Sequence, residues 1–254
     1  MSSFTTWDGL TIAYQEWGDA SAPGPVVVLH HGFVADADTN WVATGVVAAL
    51  EQAGRRVLAP DARGHGRSQA PHDPGAYGED RMARDLAALA DELALEELDL
   101  VGYSMGAVVS LLFAASDARV RRLVVGGVGS GVVECGGVDR RSLPNDSIIE
   151  ALIAEDPETV RGSPGGWFRV LADAVGADRL ALAAQARSVY RGGVDLSAIR
   201  APTLLLAGRD DPLALRPRVL AGAIPLCTLR LVDGDHATAL ADPEFAASIV
   251  HFLG

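Results

Sequence analysis

The sequence predicts an α/β protein built on parallel strand pairs, and three observations carry that expectation. Short apolar runs, Val26-Val27-Val28-Leu29-His30 foremost, are rich in β-branched residues and lack polar alternation, as strands buried on both faces do. Such runs alternate along the chain with stretches of helical spacing. One of them, Leu98 to Tyr103, leads directly into Gly102-Tyr103-Ser104-Met105-Gly106, a G-x-S-x-G pattern followed by a second apolar run. That pattern holds a serine on a strained strand-to-helix turn with its hydroxyl exposed. Glycines two residues before and after the serine leave room for the backbone to fold back. An ordinary strand-to-helix turn in a chain with 28 glycines would also satisfy the pentapeptide taken alone.

Taken in order, Phe4 to Trp7 and Leu10 to Trp17 flank Asp8-Gly9 and read as a hairpin closed by a two-residue turn. The Val26 strand follows a Pro/Gly-rich stretch and exits through His31-Gly32-Phe33. Trp41 to Ala53 has helical spacing and stops at Gly54, and Arg56 to Asp61 is the next strand. The loop Asp61 to Ser68 is glycine-rich but lacks both the G-x-G-x-x-G order and the lysine of a phosphate cradle. Gly78 to Leu95 reads as an amphipathic helix with Glu79, Asp80, Arg81, Arg84, Asp85, Asp91 and Glu92 on its outer face. A helix from the serine to about Ser116 and a strand from Arg122 to Val128 come next. The alternation then stops. From 131 to 198 the chain shows only helix-like segments, at Ser147 to Ala154, Trp167 to Val175 and Asp178 to Tyr190. This predicts a helical insertion into a core formed by 1–130 and 199–254. Strands return at Pro202 to Gly208 and Thr228 to Val232. Asp242-Pro243-Glu244 then opens a last helix with an N-cap, a first-turn proline and an acidic residue at its positive end.

Length and composition bound the function. A chain of 254 residues, 49% hydrophobic, buries a sizeable core without staples. A net charge of −12, from 33 acidic and 21 basic residues, argues against nucleic acid or an anionic membrane surface as partner. Cys135 and Cys227 have no metal-ligand spacing and read as free thiols of a reducing cytoplasm. The polar start of the chain has no signal-peptide pattern, and no apolar stretch is long enough to span a bilayer, so a soluble cytoplasmic protein is expected.

A serine hydroxyl needs a base, and the base needs a group that fixes its tautomer. His236 follows the final strand and is the candidate base; His30, His31 and His65 also lie at strand ends, whereas His72 and His251 do not. The acid is sought between the serine and the base, where Asp210 and Asp211 adjoin after a strand and Glu134 is a weaker candidate. Backbone N–H groups at Met105 and in the Gly32-Phe33 loop are candidate oxyanion donors, with His30 and His31 expected to hold that loop by hydrogen bonds.

In this order, His31-Gly32-Phe33, Asp61-x-Arg63-Gly64-His65-Gly66-x-Ser68, Gly102-Tyr103-Ser104-Met105-Gly106, Gly208-x-x-Asp211 and Asp235-His236 resemble the successive motifs of the α/β-hydrolase superfamily over nearly the whole chain. The resemblance implies an α/β-hydrolase fold: an eight-stranded, mostly parallel sheet flanked by helices, its second strand antiparallel, with an inserted helical cap. It selects Asp211 over Asp210 and implies no metal and no organic cofactor. It also implies an esterase-like serine hydrolase acting on a small acyl substrate, with Ser104, Asp211 and His236 as triad and Phe33 and Met105 N–H groups as oxyanion donors. Perhydrolysis of the haloperoxidase kind or C–C cleavage would use the same residues, and a non-catalytic binding member would share the fold. Trp41, Tyr103, Met105, Trp167 and Phe168 are candidate pocket residues, with core packing as the competing role for each. The insertion carries no subfamily signature, and the oligomeric state is not encoded in these motifs.

Overall fold

The computed structural model describes residues 2–139, 141 and 143–254. Eight strands form one sheet: β1 (Ser2–Thr5), β2 (Thr11–Trp17), β3 (Val26–His30), β4 (Val57–Pro60), β5 (Leu98–Tyr103), β6 (Val120–Gly126), β7 (Thr203–Gly208) and β8 (Cys227–Val232). Their order across the sheet is β1-β2-β4-β3-β5-β6-β7-β8, and β2 alone runs against its neighbours. The predicted fold class is present.

The unbroken apolar runs are explained by what lies on each face. Val26, Val28, Leu98, Leu100, Leu123, Val125 and Leu205 pack with α2 (Glu79–Glu92), α3 (Met105–Ser116) and α8 (Pro217–Ala223). The alternate positions Val27, Leu29, Val57, Val101, Val124, Leu204 and Leu206 pack with α1 (Val46–Gln52) and α9 (Pro243–Leu253). In the central strands β3, β4 and β7 both sides of the pleat are dry, so alternating polar positions do not betray the period of two.

Between β6 and β7 lie α4 (Ser130–Cys135), α5 (Asn145–Ile153), α6 (Gly166–Ala174) and α7 (Arg179–Arg187). Three of these match the expected segments, and α4 was not anticipated. Positions 140 and 142 of this stretch lie outside the described residues. Ile148, Leu152, Ala172, Leu182 and Ala186 give the three later helices a small core of their own, which Val34 joins from the loop after β3.

Two local expectations need correction. The hairpin connection is five residues, 6–10, rather than the two-residue Asp-Gly turn, because Thr6 Oγ1 both donates to Asp8 Oδ1 (2.7 Å) and accepts from Leu10 N (2.9 Å). This turns Trp7 outward under the Arg84 guanidinium, 3.2 Å above its ring. The helix expected from Trp41 to Ala53 is two pieces, a wide π-type turn at Asp38–Val42 and α1, separated by a turn ending in Gly45 at φ +80°.

Candidate active site

The residues singled out at strand ends converge above β3, β5, β7 and β8. Ser104 sits between β5 and α3 at φ 55°, ψ −115°, a conformation that costs energy for any residue with a side chain. The flanking glycines are required: a Cβ on Gly102 would lie 2.2 Å from the Gly106 carbonyl oxygen, and one on Gly106 would lie 2.1 Å from that of His30. The second contact shows that the turn is wedged against the end of β3 as well as against itself.

His236 reaches over the serine from the loop after β8. Its Nε2 is 2.9 Å from Ser104 Oγ, and its Nδ1 is 2.9 Å from Asp211 Oδ2. Asp211 is buried at the end of β7, where its other oxygen accepts from Leu213 N (2.8 Å) and Ala214 N (3.3 Å), so the carboxylate is fixed before it meets the imidazole. Asp210 is exposed. Glu134, the weaker candidate, is also exposed, and its ion pairs with Arg141 and Arg216 hold its carboxyl below the usual range. Asp235 caps Ala237 and Thr238, and Asp233 pairs with Arg209. Tyr103 donates its hydroxyl to the His236 carbonyl oxygen (2.8 Å) and packs against the imidazole with ring centres 5.2 Å apart. Burial, with Asp211 and Asp235 nearby, holds that phenol well above its ordinary proton affinity, so it stays a donor.

The loop after β3 is held rigidly. Gly32 N donates to Asn40 Oδ1 (2.7 Å) and Val34 N to His65 Nε2 (3.1 Å), which leaves the Phe33 amide between two tied neighbours. His31 Nε2 accepts from Ala62 N (2.8 Å), so its Nδ1–H is the donor to the Gly32 carbonyl (2.8 Å). The histidines therefore serve the loop, as their positions suggested. All three are kept neutral: burial presses His30 down to about 3, and presses His31 and His65 below their ordinary value. Underneath, Arg63 is fully buried between Asp8 (2.9 Å) and Asp85 (2.5 Å), which ties the loop after β4 to the hairpin and to α2.

Ser104 opens onto a cavity of about 200 Å³. Of the candidate pocket residues Tyr103, Met105, Trp167 and Phe168 line it, together with Phe33. Trp41 does not. It is wholly buried in the core on the α1 and α9 face of the sheet, in one cluster with Val27, Leu29 and Tyr103, and takes the core-packing role. Six polar residues that no motif marks as site residues also line the cavity: Thr39, Asn40, Glu79, Asp139, Asn145 and Gln185. Glu79 and Asp85, assigned to the solvent face of α2, are both buried. Only their pairing with distant segments, Glu79 Oε2 with Tyr190 N (2.7 Å) and Asp85 with Arg63, distinguishes them from the truly exposed charges of that helix. Among the described residues no three His, Cys, Asp or Glu side chains converge as a bound metal ion would require.

Residues 25–130 match the family model for the alpha/beta hydrolase fold. Over 211 residues, 76% of this chain and 74% of the relative, the sequence is 33% identical to 2-hydroxy-6-oxo-2,4-heptadienoate hydrolase of Pseudomonas putida. The chain belongs to the α/β-hydrolase family. Within that family it is also 29% identical over 236 residues to a non-heme haloperoxidase of Rhodococcus erythropolis, covering 83% of this chain and 82% of that one. The crystal structure of a hydrolase from Pseudomonas aeruginosa PA01 is similar, with a TM-score of 0.80 at 27% identity, covering all of this α/β-hydrolase chain and 98% of its own. No described helix is long and apolar enough to cross a membrane.

Proposed function

We propose that the protein is a serine hydrolase that cleaves a carboxylic ester or lactone of a small acyl substrate through an acyl-enzyme on Ser104. The observation that carries this reading is the continuous chain from Asp211 Oδ2 through His236 to Ser104 Oγ, with both links at 2.9 Å and the serine facing the cavity. In this mechanism Ser104 Oγ attacks the carbonyl carbon as its proton passes to His236 Nε2. Asp211 keeps Nδ1 protonated and stabilises the imidazolium. The N–H groups of Phe33 and Met105 receive the developing oxyanion. Collapse expels the alkoxide, which takes the proton from Nε2. Water then attacks the acyl-enzyme as Nε2 accepts its proton, the bond to Ser104 Oγ breaks as that proton passes to Oγ, and the carboxylic acid leaves. Residues 131–198 act as a helical cap on the core of 1–130 and 199–254 and decide what reaches the serine.

Short p-nitrophenyl esters and a fluorophosphonate probe test the reading together. Wild type is expected to release p-nitrophenolate and to be labelled at Ser104, and Ser104→Ala to lose at least about a thousandfold in kcat and all labelling. Full hydrolysis by the variant would remove Ser104 from the mechanism. The likeness to the Rhodococcus haloperoxidase supports a second reading, in which peroxide replaces water at the acyl-enzyme and releases a peracid. Acetate-dependent bromination in the presence of hydrogen peroxide separates the two.

A further inference from the structure

The cavity wall is divided. Phe33, Ile148, Phe168 and Leu171 make one part apolar, whereas Glu79 from α2, Asn145 from α5 and Gln185 from α7 bring polar groups to another. Glu79 accepts from Tyr190 N, and Asn145 donates its amide to the Ala186 carbonyl. Gln185 is placed differently. Its side chain is only 5% exposed, its Nε2 donates to the thioether Sδ of Met105, and its Oε1 has no hydrogen-bond partner among the described residues. A thioether is a weak acceptor, and a buried amide carbonyl without a donor carries a desolvation penalty that a leucine in the same space would not. The other buried residues of α7 are Ala181, Leu182, Ala183, Ala184 and Ala186, so a polar side chain here answers no need of the helix itself. Gln185 lines the same cavity as Ser104, and Met105, which its amide touches, follows Ser104 directly.

We infer that Gln185 Oε1 accepts a hydrogen bond from a hydroxyl or N–H group that the substrate carries within a few bonds of the carbonyl under attack. The substrates are then donor-bearing esters rather than plain alkyl esters, and Gln185 determines that preference. This inference rests on Ser104 being the nucleophile.

The test compares kcat/KM by pH-indicator assay for three esters: propyl butanoate, propyl 3-hydroxybutanoate and 2-hydroxyethyl butanoate. The second places the donor on the acyl side and the third on the alcohol side. Wild type is expected to prefer one hydroxylated ester over the plain one by about tenfold, the scale of one hydrogen bond realised in the transition state. In Gln185→Leu that ratio is expected to fall to about one, with the melting temperature unchanged or raised. Equal rates for all three esters in wild type, or a preference that survives in Gln185→Leu, would overturn the inference while leaving the esterase reading intact. Should wild type hydrolyse none of them, the p-nitrophenyl esters and the fluorophosphonate probe decide the esterase reading separately. Calorimetric binding of butanamide and 3-hydroxybutanamide then decides the pairing alone: a wild-type preference lost in Gln185→Leu supports it, and equal affinities overturn it.

Discussion

Two adjacent aspartates separate a buried, pre-fixed carboxylate from a solvated one. Asp211 already accepts two backbone N–H groups and adds the imidazole of His236, whereas Asp210 is exposed. Asp211→Asn is therefore expected to lower kcat by about 10³ to 10⁴, the scale seen when a triad acid is neutralised without a change of shape, and Asp210→Asn by less than about threefold. Ester hydrolysis measured on both variants checks this, and the reverse order would move the proposed role to Asp210. At this scale the sequence was most legible where chemistry restricts the residue type. Ser104, His236 and the Asp210-Asp211 pair could be marked because a nucleophile, a base and an acid each admit few alternatives. Trp41 was misplaced because a large apolar residue beside a loop suits the core as well as a pocket wall, and a π-type turn leaves no mark in hydrophobic spacing. Gln185 was invisible because one polar residue on a helix reads as a solvent-facing position until its neighbours are known.

Among the elements, the loop after β4 is the best example of a motif with a structural purpose. Its Arg63 is enclosed by two acids, and burial pushes Asp85 up to about 6 against the pull of the guanidinium. Arg63→Ala strands a buried carboxylate and is expected to cost about 3–5 kcal/mol of stability. Urea unfolding would measure it, and Asp85→Asn in the same background should recover part of the loss; wild-type stability in Arg63→Ala would refute the account. The central strands are readable because both faces of the sheet are covered there, which turns β3, β4 and β7 into nearly unbroken apolar runs. The helix boundaries near Trp41 and the short α4 are not. The first lies across a left-handed glycine that interrupts an otherwise helical spacing, and the second has only six residues over which a period could show. The hairpin turn was misread for a related reason, since the Thr6 hydroxyl organises five residues where the Asp-Gly pair would close two.

For the whole molecule, three neutral histidines buried beneath the site govern how the fold answers acid. The unfolded chain protonates its imidazoles near 6.5, whereas burial lowers His30 to about 3 and depresses His31 and His65. As pH falls below 6.5 the unfolded state takes up these protons first. Their contribution is therefore complete above that value and is lost progressively below it, by up to about 1.4 kcal/mol per pH unit for each such imidazole. Asp85 works the other way between about 6 and 3.8, and returns part of the loss. The urea midpoint is expected to drop from pH 7.5 to pH 5, and His30→Asn to flatten the slope; a midpoint that does not move would exclude the mechanism. The hydroxyl of Tyr103 has a consequence of another kind. It runs from the end of β5 to the loop beyond β8, across two intervening strands, and β8 is the outermost strand and largely open to solvent. Such a strand exchanges its amide hydrogens through local openings. With the carbonyl of His236 pinned to the residue next to the serine, the spacing between base and nucleophile is insulated from breathing at the edge of the sheet. Amides of β8 can then exchange rapidly in a protein whose site stays assembled.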